Sequence, residues 1–461
     1  MGDSRGPNDL LRHWMDAAGY TAYALAAEVA DLAGQRGHPQ VRPDGSRVGH
    51  WLRDGERPRP PVPELVADLL SDRVGRRLSP ADLGWEDGVV TPLTAAGWGA
   101  EPTAAALGRL IDADLRGATS GETEVAAGEL LAHLQTWAID APAPLPTRRE
   151  GGRRIGSSDV RRIEQVTDVF RALDNRQGGG ASRLAVAGQL ADVVAVARDG
   201  IYTDRVGAEL FRALGDLAGV AGWMAHDAGC YPRAVEYLGL AVHAARLGGD
   251  RPLGAHLLQC LARVYGYRGD PDTARECIDL ALYGVRRERV PVVRAGLHAL
   301  AGRFAAMLGQ ERDTLEALAR ALGEFDPGAG TVPPYAAYLD QAELSSTVGE
   351  VRLFLARSTG DRAHLGPAVE LLRTAAELRA EERIRSRVFD WIGLARGWFA
   401  AGDLDGACAA ADQALRLAGG LDSARVAGRL RDLERESRPY QAQAPVAELR
   451  ERLAAAGASP S

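Results

Sequence analysis

DAGCYPRAVEYLGLAV at 227–242, YRGDPDTARECIDLAL at 267–282 and MLGQERDTLEALARAL at 307–322 align without a gap, and their glycines Gly229, Gly269 and Gly309 recur every 40 residues. FAAGDLDGACAAADQAL at 399–415 repeats the pattern, and STGDRAHLGPAVELLRTAA at 358–376 does so with a short insertion. Each copy reads as the end of one helix, a glycine turn and a second helix carrying small and large apolar residues in phase. Self-similarity at a fixed period is the mark of stacked repeats, because one such unit cannot bury its apolar face alone.

Composition agrees with helices throughout. Hydrophobic residues make up 46% and charged residues 25%, near the globular average, while aromatics are only 6%, so little favours strands. At 461 residues there is room for about two or three domains. Every one of the 55 cationic side chains is an arginine, and asparagine occurs only at Asn8 and Asn175. That bias reads as a high-GC coding sequence and weakens arguments from any isolated arginine. A net charge of -7 argues against coating of nucleic acid by the whole surface and leaves room for a local basic patch. Cys230, Cys260, Cys277 and Cys408 lack the close pairing of a zinc site and suit a reduced compartment. No signal-peptide core opens the chain and no run approaches the roughly 18 apolar residues of a membrane span, so the expectation is a cytoplasmic protein without membrane contact.

The chain is expected to be all-α, an N-terminal helix-turn-helix domain followed by an α-solenoid. Boundaries fall at 1–85 for the first domain, 86–157 for a helical connector ending in a Pro/Gly/Arg linker at 141–158, 158–440 for the repeats and 441–461 for a final helix and tail. The change to glycine, aspartate and threonine at 84–94 marks the first boundary.

The repeats resemble the tetratricopeptide family. Carried across, the family's small first-helix residue falls on Gly222, Ala262, Gly302 and Ala395, seven residues before each turn glycine. Its close-packing alanine falls on Ala234, Ala274 and Ala407, with Thr314 as a departure, and its later alanine on Ala241, Ala281, Ala321 and Ala414. Leu238, Ile278 and Leu318 then fill space between helices that approach closely only at small side chains. The spacing exceeds the family's 34 residues, which longer helices explain.

The same register puts Trp223, His226, His256 and Gln259 on the concave face, together with Arg263, Arg303, Phe354 and Arg396. Arg263, Arg303 and Arg396 share one offset in three repeats. A ladder of guanidinium forks would suit a carboxylate or phosphate ligand. The alternative pairs them with acids of neighbouring repeats.

At the N-terminus, Asn8 and Thr21 stand where caps of two helices are expected. A third helix is expected at 45–53 with Val48, Trp51 and Leu52 inward, and a fourth from Pro63 with Leu65, Val66, Leu69 and Leu70. Val48, Trp51-Leu52, Asp54-Gly55 and Pro58 resemble the recognition-helix segment of the Xre/Cro helix-turn-helix family. The resemblance implies that Ser46, Arg47, His50 and Arg53 face DNA, with Arg57 and Arg59 on phosphates. Arginine can grip guanine bidentately, and Ser46 with the helix amides can anchor phosphate. The loop from Gly34 to Gly45 is longer than that family's usual turn.

RALDNRQGGGASRL at 171–184 lacks the lysine and preceding strand of a phosphate loop and reads as helix, glycine turn, helix. GWMAHDAG at 222–229 offers no nucleophile beside His226 and Asp227, and HExxH, GxSxG and CxxC are absent, so no enzyme, cofactor or metal is expected. The combined resemblance is to bacterial regulators pairing a helix-turn-helix with tetratricopeptide repeats, and more distantly to peptide-sensing quorum regulators. It implies a homodimer on double-stranded DNA whose solenoid senses a small anionic molecule, a peptide or a protein. The peptide-sensing subgroup grips backbone with asparagine, and the solenoid here is read as having none. The competing expectation is an interaction scaffold without DNA activity.

Overall fold

The structure, a computed structural model, describes residues 7–59, 61–75, 78, 80, 82–85, 93–115, 125–139, 152–326, 328 and 332–457. Most of the expected linker at 141–158, the composition change at 86–92 and the last four residues lie outside them. Among the described residues all regular structure is helical apart from one isolated bridge between Arg154 and Ile201. The chain divides into two compact units, Met1–Val90 and Thr91–Ser461.

The first unit contains α1 (Asp9–Ala17), α2 (Ala22–Gln35), α3 (Gly45–Arg53) and α4 (Val62–Val74). Asn8 caps α1 by accepting from Leu11 N, and Thr21 caps α2 by accepting from Ala24 N. Gly19 takes the left-handed conformation between them, at φ 69°. Leu11, Leu25, Val48, Trp51, Leu65 and Leu70 form the core, and Trp85 meets Trp51 edge-on at 5.4 Å. Leu52 and Leu69 are only partly buried.

The second unit begins with α5 (Ala100–Leu115), α6 (Ala127–Ile139), α7 (Ser157–Gln177) and α8 (Arg183–Asp199). The repeats follow as α9 (Asp204–Asp227) with α10 (Tyr231–Leu247), α11 (Arg251–Tyr267) with α12 (Pro271–Gly284), and α13 (Pro291–Met307) with α14 (Glu311–Glu324). They continue as α15 (Gln341–Thr359) with α16 (Leu365–Leu378) and α17 (Ile384–Ala401) with α18 (Leu404–Ala418). α19 (Ala424–Ser437) and α20 (Ala444–Gly457) end the described chain.

The turn glycines Gly229, Gly269, Gly309, Gly360 and Gly402 all have φ between 72° and 91°, a conformation other residues adopt at a cost. Within each pair the small residue meets its large partner. A Cβ on Gly222 would stand 2.8 Å from Leu238, and one on Gly302 would stand 3.1 Å from Leu318. The stretched fourth copy uses Gly349 against Leu372, also at 2.8 Å, one helical turn earlier than its turn glycine would imply. Thr314, in place of an alanine, is buried and donates its hydroxyl to Gln310 O at 2.7 Å.

α5 and α6 lie against α8, α10 and α12. The indole of Trp137 wedges beside Gly254 and Gly284, where any Cβ would overlap it. Trp98 stacks on His243 with ring centres 3.7 Å apart, and His243 Nε2 meets His133 Nε2 at 2.9 Å. Burial lowers the His243 pKa to about 3.

One stretch, Gly180–Asp199, has the length and apolarity of a membrane span, which the sequence reading missed; most of it is α8, which packs on α5 and α9. Its buried residues, Val186, Ala187, Leu190, Val193, Val194 and Ala197, form one stripe that serves helix packing.

The solenoid also returns to its own start. The glycine turn after α7 takes φ 85° at Gly178 and meets the turn before α19. Asp422 N donates to Gln177 O at 2.8 Å and Gly180 N donates to Asp422 O at 3.2 Å. A Cβ on Gly178 would overlap the Asp422 carbonyl oxygen, and one on Gly180 its carboxylate. The three glycines thus serve close approach to Asp422 and the Met224 backbone, consistent with a glycine turn between two helices and not with a phosphate cradle.

Candidate functional site

Within the second unit, the first helices of the repeats together with α7 and α19 line a partly open cavity of about 800 Å³. Trp223, His226, His256, Gln259, Arg263, Arg303, Phe354 and Arg396 all line it. Trp223, Arg263, Arg303 and Arg396 each follow the small residue that packs inside the pair. The close helix crossing therefore aims the next side chain at the axis.

The arginines are not a free ladder. Arg303 pairs with Glu350, Arg396 with Glu436 at 2.7 Å and Arg263 with Glu343 at 3.5 Å. The pairing alternative is what the structure contains, because Glu343 and Glu350 of α15 also face the cavity. Burial alone would raise the Glu350 pKa, but Arg303, Arg429 and Arg396 hold it below the ordinary carboxylate range. Glu436 falls to about 2, with Arg357 and Arg396 overcoming its burial.

His226 is 1% exposed and is kept neutral by burial and by Arg425, Arg385 and Arg263. Burial likewise brings His256 to about 3, and its ring lies 5.3 Å from Tyr335. Gln259 donates to the Tyr338 hydroxyl. Asp227 accepts from Gly179 N at 2.9 Å and pairs with Arg385 at 3.1 Å, so it neutralises the wall and anchors the glycine turn. Asn175 also lines the cavity, correcting the reading that the solenoid has no asparagine; its amide donates to Arg171 O on its own helix.

Sequence reasoning missed Arg385, Arg425 and Arg429. Arg425 and Arg429 lie on α19, beyond the last repeat copy, where the periodic register has nothing to project. Arg425 lies between Trp223 and Phe389, with centroids 4.9 and 5.0 Å from its guanidinium carbon.

In the first unit, Val48 and Trp51 are buried and hold α3 from behind. Ser46, Arg47, Arg53, Arg57 and Arg59 are exposed and His50 is half-buried. Their surroundings are more acidic than expected. Arg47 pairs with Glu56 at 2.6 Å, His50 with Asp54 at 2.7 Å, and Arg53 reaches Asp54 at 3.6 Å. Asp44 caps α3 by accepting from Arg47 N at 2.8 Å. The amides expected to anchor phosphate beside Ser46 thus already face a carboxylate. The long preceding loop is organised: His38 N donates to Ala33 O at 2.8 Å across Gly37, and Val41 packs on the core.

Comparisons with known proteins bear on the two units differently. Residues 11–86 match the model of a family described as the SP15 N-terminal domain, a match confined to the first unit. No curated protein matches the chain. Among solved structures, the chain is similar to the crystal structure of BtubC (BKLC) from P. vanneervenii. Identity is 18%, the similarity covers 52% of this chain and 91% of that one, and the TM-score is 0.37.

Proposed function

We propose that the chain is a cytoplasmic, non-enzymatic transcriptional regulator that binds double-stranded DNA through α3, acts as a homodimer and senses a ligand with its solenoid. The observation that carries the DNA half is the two-sided character of α3. Val48 and Trp51 fix it to the core while Arg47 and Arg53 stand outward with side chains 56% and 68% exposed. The cavity supports the sensing half, since volumes of about 300 to 1,000 Å³ suit small-molecule ligands. Coupling needs only a ligand that favours one solenoid conformation over another.

A second reading, a repeat scaffold without DNA activity, is favoured by the acids beside those arginines and by the Asp44 cap. Magnitude decides between them. Exposed pairs of this kind contribute about 0–1 kcal/mol each, so a phosphate can displace them. The test is an electrophoretic mobility shift on DNA flanking the protein's own coding sequence, comparing wild type with Arg47→Ala plus Arg53→Ala. Wild type is expected to shift the fragment and the double variant to lose it. No shift by wild type at low salt removes the regulator reading, and equal binding by the variant removes α3 as the reading helix.

A further inference from the structure

We infer that the cavity takes a small aromatic monoanion, gripped by Arg425 and Arg429 of α19 with Arg263 of α11. The inference rests on the sensor reading only in placing the ligand in this cavity.

The wall arginines divide into two sets by distance. Arg385 holds Asp174 with two bonds of 2.7 and 2.6 Å, and Arg379 holds Asp390 at 2.7 Å. Together with the Arg303–Glu350 pair, these short contacts build the wall. Arg425, Arg263 and Arg429 instead meet Asp227, Glu343 and Glu350 at 3.4, 3.5 and 3.7 Å. Each of those carboxylates is already engaged by another guanidinium: Asp227 by Arg385 at 3.1 Å, Glu343 by Arg379 at 3.0 Å, and Glu350 by Arg303. The three loosely held arginines are therefore second cations on occupied partners.

Charge counting follows. These six arginines, together with Arg383, share six carboxylates, Asp174, Asp227, Asp340, Asp390, Glu343 and Glu350, which leaves one positive charge uncompensated. Elsewhere on the wall the balance reverses, since Arg171 is shared by Asp168 and Asp216. The surplus belongs to the α11 and α19 side. Burial, with Arg385, Arg263 and Arg429 close by, lowers the Arg425 pKa to about 10 despite Asp227. Arg425 Nε is buried and has no hydrogen-bond partner among the described residues. A neutral acceptor would satisfy this donor and leave the charge uncompensated; an anion would satisfy both.

The aromatic part of the ligand follows from what flanks that charge. Trp223 and Phe389 bracket the Arg425 guanidinium, and both rings face the cavity, as do Tyr267 and Phe304. A flat conjugated body stacked there would place its anionic group on Arg425. A peptide lacks support, because the one asparagine on the wall spends its amide on its own helix.

The test uses the full chain without DNA and two probes sharing a ring system: anilinonaphthalene sulfonate, an aromatic monoanion, and phenylnaphthylamine, its neutral counterpart. The sulfonate is expected to bind with one-to-one stoichiometry and to quench tryptophan emission, and the neutral probe to bind more weakly. Arg425→Gln and Arg429→Gln should each weaken the sulfonate by about tenfold or more and leave the neutral probe unchanged. Equal affinity for the two probes, or undiminished sulfonate binding in both variants with unchanged circular dichroism, overturns the inference. Should Arg425→Gln fail to fold, Arg429→Gln carries the test, because Glu350 keeps Arg303. A chain that fails the mobility shift but passes here retains the anion site; one that shifts DNA but fails here loses only the anion site.

Discussion

Arg385 sets its two terminal nitrogens on the two carboxylate oxygens of Asp174, at 2.7 and 2.6 Å, across a sequence separation of 211 residues. Both side chains are only 6% exposed, so the pair has little water to fall back on. Arg385→Leu is expected to cost about 3–5 kcal/mol, because it strands buried charge at Asp174 and Asp227. Replacing both partners, Arg385→Met with Asp174→Leu, should cost less, because only Asp227 then loses a partner and it keeps Arg425 and the Gly179 amide. Urea denaturation of the two variants checks this, and an equal loss in both would mean that the pair itself, not the stranded charge, supplies the stability.

The glycine turn makes a sharper steric prediction. Gly178→Ala must adopt φ 85° and meet the Asp422 carbonyl, and Gly180→Ala must push aside its carboxylate. Each is expected to destabilise by about 1–3 kcal/mol. Gly188 lies inside α8 with open space around it, so Gly188→Ala should stabilise by about 0.5–1 kcal/mol. Thermal melts of the three variants should move in opposite directions.

In the first unit, Trp51 is 1% exposed and packs against Trp85. Trp51→Ala should cost that unit about 3–5 kcal/mol, whereas Arg53→Ala should change it by no more than about 0.5 kcal/mol. Denaturation followed by tryptophan emission separates them, and a small loss in Trp51→Ala would show that the helix is not held from behind.

Stability should fall in acid partly through His243. Its pKa drops from 6.5 to about 3 on folding, so the neutral ring's contribution is complete above the unfolded value and is lost as pH falls toward the folded one. Within that window the loss is about 1.4 kcal/mol per pH unit. His243→Gln removes one proton from the uptake on unfolding, and its stability should depend on pH less steeply by that amount. Parallel pH profiles would show that His243 is not the titrating group.

The repeat, its turn glycines and the concave register were legible because each depends on side chains a fixed distance apart on the same pair of helices. The same logic located α3 and its buried Trp51. What sequence spacing could not supply were partners from elsewhere in the chain. Glu350 for Arg303 and Glu436 for Arg396 come from the adjacent helices α15 and α19, and Asp174 for Arg385 is brought in by closure, which no local period encodes. Asp44 and Glu56 were visible as acids near α3, but whether they face solvent or the arginines depends on how the loop folds. Arg425 escaped notice because α19 carries no repeat signature.

The backbone bonds between the turn after α7 and the turn before α19 change the solenoid's mechanics. An open stack of repeats has stability that sums over neighbours, can fray from either end and can tolerate losing a terminal unit. Joining the turn after α7 to the turn before α19 ties these two ends together, so weakening α19 is felt at α7 as well as at its neighbour α17. Closure must also bring distant segments together before it gains anything, which slows its completion relative to folding of the individual pairs. The expected consequence is a late folding step, the sealing of a ring, on which formation of the cavity depends.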